Sequence, residues 1–259
     1  MSRSALTARF APPRLLLALL AVVAWVGAAP ARAADVPIAV AANFTEPAKA
    51  IAAAFTAKAG DHTVLSFGAS GQFYTQISHG APFEILLSAD ADRPVRIEHE
   101  GLGVAGTRFT YAVGKLVLFS KTPGLVDPQG AALAKGGFKS LAIADPAAAP
   151  YGQAAIETLT KLGLYAALQP KIVKGASIAQ AYQFVESGAA ELGFVALSQV
   201  VDETGGSRWL VPAADHTPIE QQAILLKPGE TDPAARAFLA FLQGPEAKAI
   251  IRRFGYEVP

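Results

Sequence analysis

Residues 107–120 read TRFTYAVGKLVLFS, an extended apolar stretch with Gly114 near its middle. The stretch is long for one β-strand, since strands of globular proteins rarely exceed about ten residues. A second extended run lies far downstream, at residues 219–227. Two long runs that flank a middle block predict two lobes between which the chain crosses twice.

Outside these two runs, short apolar segments alternate with helical patterns. The apolar segments lie at residues 36–42, 63–67, 83–88, 141–144, 171–174, 192–197 and 222–227. The helical patterns lie at 47–58, 72–78, 93–100, 151–162, 178–187 and 233–254. This alternation predicts an α/β fold with mainly parallel sheets. We therefore expect a discontinuous first lobe (34–113 plus 220–259), a second lobe (114–219) and a ligand cleft between them.

The first 33 residues have the features of a cleavable export signal. Arg3, Arg9 and Arg14 precede an apolar run at 15–29, and the small-x-small triplet 31–33 follows. The alternative is a membrane anchor, but the run is short of the roughly 20 residues that a spanning helix needs. We predict cleavage after Ala33 and a mature chain in the periplasm.

The composition excludes several classes of function. Lys and Arg number 22 against 21 acidic residues, for a net charge of +1, which disfavours nucleic acid as a partner. The absence of cysteine excludes disulfides, thiolate metal sites and a cysteine nucleophile. The four histidines show no metal-ligand spacing. The G-x-G-x-x-G match at 101–106 precedes a strand-like run rather than a helix, so it is interpreted as a turn.

Four strand-to-helix junctions are the most informative segments. They lie at 41–47, 67–72, 145–152 and 175–178, and none of them contains Lys or Arg. Helix N-termini bind anions through free N–H groups and the helix dipole. Ligands of open α/β sheets bind beyond the carboxyl ends of the strands, where such helices start. The junctions predict a neutral, donor-rich oxyanion site, in which Glu46 has to turn outward.

The ordered set of segments at these junctions resembles the periplasmic molybdate-binding proteins, the ModA family of ABC-importer receptors. The resemblance covers nearly the whole mature chain. It is carried by AANF (41–44), SFGASGQFYTQISHGAPFEILLSAD (66–90), GTRFTYAVGKLVLFS (106–120), PGLVDPQG (123–130), IADPAAAPYGQAA (143–155), SGAAELGFVALSQV (187–200) and GPEAKAIIRRFGY (244–256).

The resemblance implies which residues contact the ligand. Ala42 and Asn43 match the first contact site, and Ser70 matches the ligand serine of the second. Tyr151 matches a contact at the third helix start, and Ile178 matches a position that donates its backbone N–H. The family has a two-lobed fold of type II with two crossover strands, in agreement with the prediction from the residues.

Two positions depart from the family pattern. The sequence most resembles the branch of the family that has AANF at the first junction. Relatives of that branch can carry threonine at the position of Ala42, where alanine can contact a ligand only through its main chain. Another branch has a ligand tyrosine in the region of Ala196, which leaves Tyr151 as the candidate for that role.

The resemblance implies a monomeric receptor that binds molybdate or tungstate and passes it transiently to a membrane ABC permease. It implies no cofactor, and molybdenum is present only as the bound oxyanion. A receptor for sulfate, phosphate or phosphonate is the alternative within this class. An exported enzyme is the alternative outside it. However, Tyr151 and Asp145 are the only titratable candidates in the cleft, and Asp90 and Asp92 are interpreted as caps before Arg93. We therefore expect no catalytic residue.

Overall fold

The computed structural model describes residues 35–259. The expected export signal and its cleavage position after Ala33 lie outside the described residues. Within the described part of the chain, no helix is both long and apolar enough to cross a membrane.

The first sheet contains the five strands β1 (Asp35–Ala41), β2 (His62–Gly68), β3 (Ile85–Leu87), β4 (Phe109–Gly114) and β10 (Ile219–Leu225). Their order is β2-β1-β3-β10-β4. Strand β1 is parallel to β2 and β3, whereas β10 is antiparallel to β3 and β4. Because β10 comes from near the C-terminus, two separate segments of the chain build this lobe.

The second sheet contains the five strands β5 (Leu116–Ser120), β6 (Leu141–Ala144), β7 (Ile172–Gly175), β8 (Leu192–Ala196) and β9 (Ser207–Leu210). Their order is β7-β6-β8-β5-β9, which repeats the pattern of the first sheet. Strand β6 is parallel to β7 and β8, and β5 is antiparallel to β8 and β9. The chain therefore has the expected two-lobed α/β fold.

Helices follow most of the strands and cover the sheets. In chain order they are α1 (Thr45–Ala59), α2 (Ser70–Ser78), α3 (Asp92–His99), α4 (Ala132–Lys135), α5 (Pro150–Lys161), α6 (Tyr165–Leu168), α7 (Ile178–Glu186), α8 (Leu197–Val200), α9 (Pro233–Leu242) and α10 (Pro245–Arg253). Short 3-10 turns lie at Ala42–Phe44, Gln169–Lys171, Ala213–Asp215 and Lys227–Gly229. The turn Ala42–Phe44 and helices α2, α5 and α7 each start where a strand ends.

The stretch at 107–120 forms two strands in different sheets. Strand β4 ends at Gly114, β5 begins at Leu116, and only Lys115 lies between them. The chain returns between β9 and β10, where Ile219 pairs with Gly114. The exact lobe limits inferred from the sequence remain a prediction. The first crossing lies within the run 107–120, and the second lies between Leu210 of β9 and Ile219 of β10, just before the run 219–227.

The core explains why the strands are apolar along their whole length. Val36, Ile38 and Val40 of β1 belong to one apolar cluster, whereas Ala39 faces a second cluster that contains Phe73. Both faces of the first sheet are therefore covered, as expected for parallel strands.

The C-terminal helical pattern was predicted as one segment, 233–254, and this prediction is wrong. Helix α9 ends at Leu242 and α10 begins at Pro245, with Gly244 between them in an extended conformation (φ −74°, ψ 164°). Proline disfavours helical geometry in the preceding residue, so Pro245 separates the helices and starts the second.

Candidate functional site

The four junctions meet in one small pocket between the lobes. All five residues expected to contact the ligand line it, together with neighbours from both lobes. The lining residues are Ala41, Ala42, Asn43, Gly68, Ala69, Ser70, Ala89, Ala149, Pro150, Tyr151 and Ile178. Their role as ligand contacts is still a prediction, but the fold does bring them together.

Each junction places the start of a helix at this pocket. Ser70 and Ile178 are the first residues of α2 and α7, and Tyr151 follows Pro150 at the start of α5. Asn43 lies within the 3-10 turn that precedes α1. The first N–H groups of a helix have no acceptor within the helix, and the helix dipole gives this end a partial positive charge. The pocket wall therefore attracts an anion although the wall itself carries no formal charge.

Ser70 has a hydroxyl group suited to donate to a ligand. The side chain is buried, with 1% of the residue exposed, and its Oγ accepts a hydrogen bond from the N–H of Ala89 at 2.9 Å. A serine hydroxyl has one proton to donate besides its acceptor lone pairs. The bond from Ala89 uses a lone pair of the Ser70 oxygen and not its hydroxyl proton. Ser70 can therefore donate this proton to a ligand in the pocket.

Asn43 uses its side-chain amide inside the protein. Its Nδ2 donates to Gln221 Oε1 and to the Tyr256 hydroxyl, both at 2.9 Å. Its main-chain carbonyl oxygen accepts from the hydroxyls of Ser198 and Tyr256, at 2.7 and 2.8 Å. Because the amide carries two hydrogens and both have partners, only the main-chain N–H of Asn43 remains for a ligand.

The Tyr151 side chain also forms a hydrogen bond inside the protein. Its hydroxyl accepts a hydrogen bond from Gln221 Nε2 at 3.3 Å, and the residue is 1% exposed. Gln221 Oε1 in turn accepts from Tyr111 at 3.0 Å. These contacts join both lobes in a buried group that we call the interlobe polar cluster, which consists of Asn43, Tyr111, Tyr151, Ser198, Gln221 and Tyr256.

The cluster includes residues that sequence analysis missed. The ring of Tyr111 lies edge-on to Phe44 at 4.9 Å, and its hydroxyl joins the cluster. Gln221 and Tyr256 were not singled out. The available signal was weak: Gln221 is a polar residue in the strand IEQQAIL, which is otherwise largely buried.

The tyrosines of the cluster keep their protons. Burial raises the pKa of the Tyr111 and Tyr151 hydroxyls well above their ordinary value of 10.0, and it raises the pKa of Tyr256 to about 12. No tyrosinate charge therefore arises beside the pocket at neutral pH, and the cluster presents neutral groups.

Charged side chains are kept out of the pocket wall. Glu46, which had to turn outward, is 60% exposed and pairs with Lys49 at 2.8 Å, so this expectation is confirmed. Asp90 accepts from the N–H of Arg93 at 3.3 Å, but Ala91 occupies the cap position of α3, and Asp92, also interpreted as a cap, is the first residue of that helix. Asp145 forms a turn, since its carbonyl oxygen accepts from the N–H groups of Ala148 and Ala149. Among residues 35–259, no group of three or more His, Asp or Glu side chains is placed to hold a metal ion.

Comparison with known proteins relates this arrangement to one family. The family model described as bacterial extracellular solute-binding protein matches residues 36–257. The molybdate-binding protein ModA of Rhodobacter capsulatus is 58% identical over 229 residues, which cover 88% of this chain and 90% of that protein. ModA of Azotobacter vinelandii is 56% identical over 229 residues, which cover 87% and 91%.

A solved structure agrees with these relatives. The periplasmic molybdate-binding protein of Azotobacter vinelandii superposes with a TM-score of 0.84 at 42% sequence identity. The match covers 86% of this chain and 99% of that one. The likeness therefore includes both lobes.

Proposed function

Because the chain belongs to the bacterial extracellular solute-binding proteins and, within them, to the ModA family, we propose that it binds molybdate or tungstate and delivers the anion to an ABC permease. In this proposal the mature protein is a periplasmic monomer that begins at Ala34. It carries no cofactor and performs no chemical reaction on its ligand.

The pocket with neutral donors from four helix starts is the observation that carries this proposal. A tetrahedral dianion has only acceptor oxygens, and the main-chain N–H groups of Asn43, Ser70, Tyr151 and Ile178 with the Ser70 hydroxyl are donors. Dipoles from helix starts stabilise such a charge without a basic residue. A protonated oxyanion such as hydrogen phosphate would bury an O–H group beside donors, which leaves its proton unpaired.

Discrimination between molybdate and sulfate rests on size in this proposal, because both are tetrahedral dianions. Residues from both lobes line the pocket, so its dimensions are set by the packing of the helix starts. Opening and closing of the lobes about the crossings near Gly114 and Ile219 would admit and then enclose the ligand. A receptor for sulfate or phosphate is the alternative of the same class.

Calorimetric titration of the purified protein tests the proposal directly. We expect molybdate and tungstate to bind more tightly than sulfate and phosphate. Weaker or equal binding of molybdate and tungstate would refute the proposed ligand.

Substitution of Ser70 tests the site. Ser70→Ala removes one hydrogen bond to a charged ligand, which is expected to weaken molybdate binding roughly 10- to 100-fold. Ser78→Ala is the matched control, since Ser78 ends the same helix and bonds only to the Tyr74 carbonyl at 2.9 Å. Equal affinities of Ser70→Ala and Ser78→Ala would exclude Ser70 from the site.

A further inference from the structure

We propose that Arg93, held by Asp90, acts as a latch that keeps the ligand cleft closed without touching the ligand. The inference rests on the proposed binding of an oxyanion and adds a positioning residue to it. Arg93 belongs to α3 of the first lobe and reaches the loop at 145–149 of the second lobe. It lines a groove beside the pocket, and it is not among the residues that line the pocket itself.

The guanidinium of Arg93 bonds to both lobes. Its Nη2 donates to the carbonyl oxygen of Ala147 at 3.1 Å, and its Nη1 pairs with Asp90 Oδ2. Asp90 is itself fixed, because its Oδ1 accepts from the Ser88 hydroxyl at 2.8 Å. The side chains of Arg93 and Asp90 are only 19% and 18% exposed, so water screens this pair less than it screens a surface ion pair.

A second hydrogen bond lies directly beside the first. The N–H of Gly71 donates to the carbonyl oxygen of Ala148 at 2.9 Å. A Cβ atom at position 71 would lie 2.9 Å from Arg93 Nη2 and 3.0 Å from the Ala148 main chain. The two lobes therefore meet here main chain to main chain, in a space that only glycine leaves open.

The receiving loop connects the latch to the ligand pocket. Asp145 shapes the loop, because its carbonyl oxygen accepts from the N–H groups of Ala148 and Ala149 at 3.1 and 2.8 Å. Ala147 and Ala148 lie just before α5, whose residue Tyr151 lines the pocket. On the other lobe, Gly71 follows Ser70. Contact at the latch thus brings two walls of the pocket together.

Charge balance defines what the latch can do. Asp90 neutralises Arg93, so the pair adds no net charge beside a bound dianion. The latch should therefore slow release of any ligand that fits and leave its capture unchanged. A direct electrostatic role would instead speed capture and make it sensitive to salt.

Dissociation kinetics test the latch. Loaded protein is mixed with excess tungstate, and the molybdenum that stays with the protein is followed over time by elemental analysis. Arg93→Ala is expected to release molybdate roughly 10-fold faster or more, because a charged hydrogen bond is lost. In Arg93→Ala combined with Asp90→Asn, which leaves no unpaired charge, the association rate should stay within about twofold of the wild type. Arg93→Lys keeps the charge beside Asp90 and should restore part of the slow release.

Arg96→Ala is the matched control on the same helix. Arg96 bonds to the Tyr74 hydroxyl at 2.6 Å and pairs with Glu100, within the first lobe. It should release molybdate at the wild-type rate. Gly71→Ala should also speed release, whereas Gly137→Ala, with no atom within 4 Å of the added Cβ, should not.

The outcomes separate the latch from the proposed function. Equal release rates in Arg93→Ala, Arg96→Ala and the wild type would overturn the latch and leave the ligand assignment intact. If the wild type binds neither oxyanion, the proposed function fails, and solution X-ray scattering then decides on the latch. Arg93→Ala should be more open than the wild type, and equal dimensions would overturn the latch as well.

Discussion

Asn43 and Tyr151 lie at the ligand pocket, but their polar side chains hold the protein together. Asn43 bonds to Gln221 and Tyr256, which are 178 and 213 positions away in the chain. Such distant partners leave no local pattern in a sequence, so the positions of Asn43 and Tyr151 could be predicted but the use of their side chains could not. At Ser70, by contrast, the hydroxyl accepts from Ala89 and keeps its proton for the proposed ligand. Donation of this proton is a role that a serine at this position predicts.

Glu84 is a partly buried carboxyl group outside the ligand site. Burial raises its pKa from 4.5 to about 7, and the neighbouring Asp232 carboxyl adds to the shift. The folded state therefore binds this proton more tightly than the unfolded state. The stability that it contributes is complete below pH 4.5 and is lost as the pH rises through about 7.

We expect Glu84→Gln to remove this loss, so that the unfolding free energy falls less between about pH 4.5 and pH 8 than in the wild type. Urea unfolding at a series of pH values measures the slope. Glu230→Gln is the control, since Glu230 is exposed and pairs with Lys227 at 3.0 Å. A slope in Glu84→Gln that matches the wild type would contradict the assignment.

Gly114 separates two strands that the sequence presents as one run. The hydroxyl of Tyr151 and the amide of Gln221 occupy the space where a Cβ atom at position 114 would lie. The length of 107–120 and Gly114 near its middle predict a crossing between lobes here, but the pattern does not name the strands that β4 and β5 pair with, because pairing joins residues distant in the chain. The break between α9 and α10 was also missed in the helical pattern 233–254, although Pro245 was a local signal for it.

Helix α5 packs on β6 through another glycine. A Cβ atom at position 152 would collide with the carbonyl oxygen of Ala144. We expect Gly152→Ala to lower the unfolding free energy by about 1–3 kcal/mol, because the helix must move away from the sheet. Urea unfolding gives this value.

Gly205→Ala provides the comparison for this prediction, since no atom lies within 4 Å of the added Cβ. Its unfolding midpoint should match that of the wild type. If Gly152→Ala were as stable as Gly205→Ala, the close approach of α5 and β6 would have no energetic consequence.

In the whole molecule, two sets of contacts join the lobes near the candidate pocket. In the interlobe polar cluster, Tyr151 meets Gln221. At the proposed latch, Arg93 and Gly71 reach the loop before α5. In the proposed receptor, closure would depend on residues from distant parts of the chain, and affinity would be a property of both lobes together.

Gln221→Leu tests the contribution of the cluster. The substitution leaves one amide hydrogen of Asn43 without an acceptor, which costs about 1–3 kcal/mol for a buried donor, whereas the Tyr111 hydroxyl keeps its bond to the Ser88 carbonyl oxygen. We expect a lower unfolding free energy and weaker molybdate binding, since Tyr151 loses its contact with the first lobe. Urea unfolding and calorimetry measure the two effects. Gln129→Leu, at an exposed position, should change neither.

The sequence by itself determined the α/β class, the two crossings and the four helix starts of the pocket, because periodicity, glycine and proline act over a few residues. The family resemblance narrowed the expected ligand to molybdate or tungstate. Only the tertiary structure decided which strands β4 and β5 pair with, that Tyr151 bonds to Gln221 of the other lobe, and that the Asn43 side chain bonds to Gln221 and Tyr256 of its own lobe. It also decided that Arg93 spans the cleft, because these contacts depend on how two lobes meet in space.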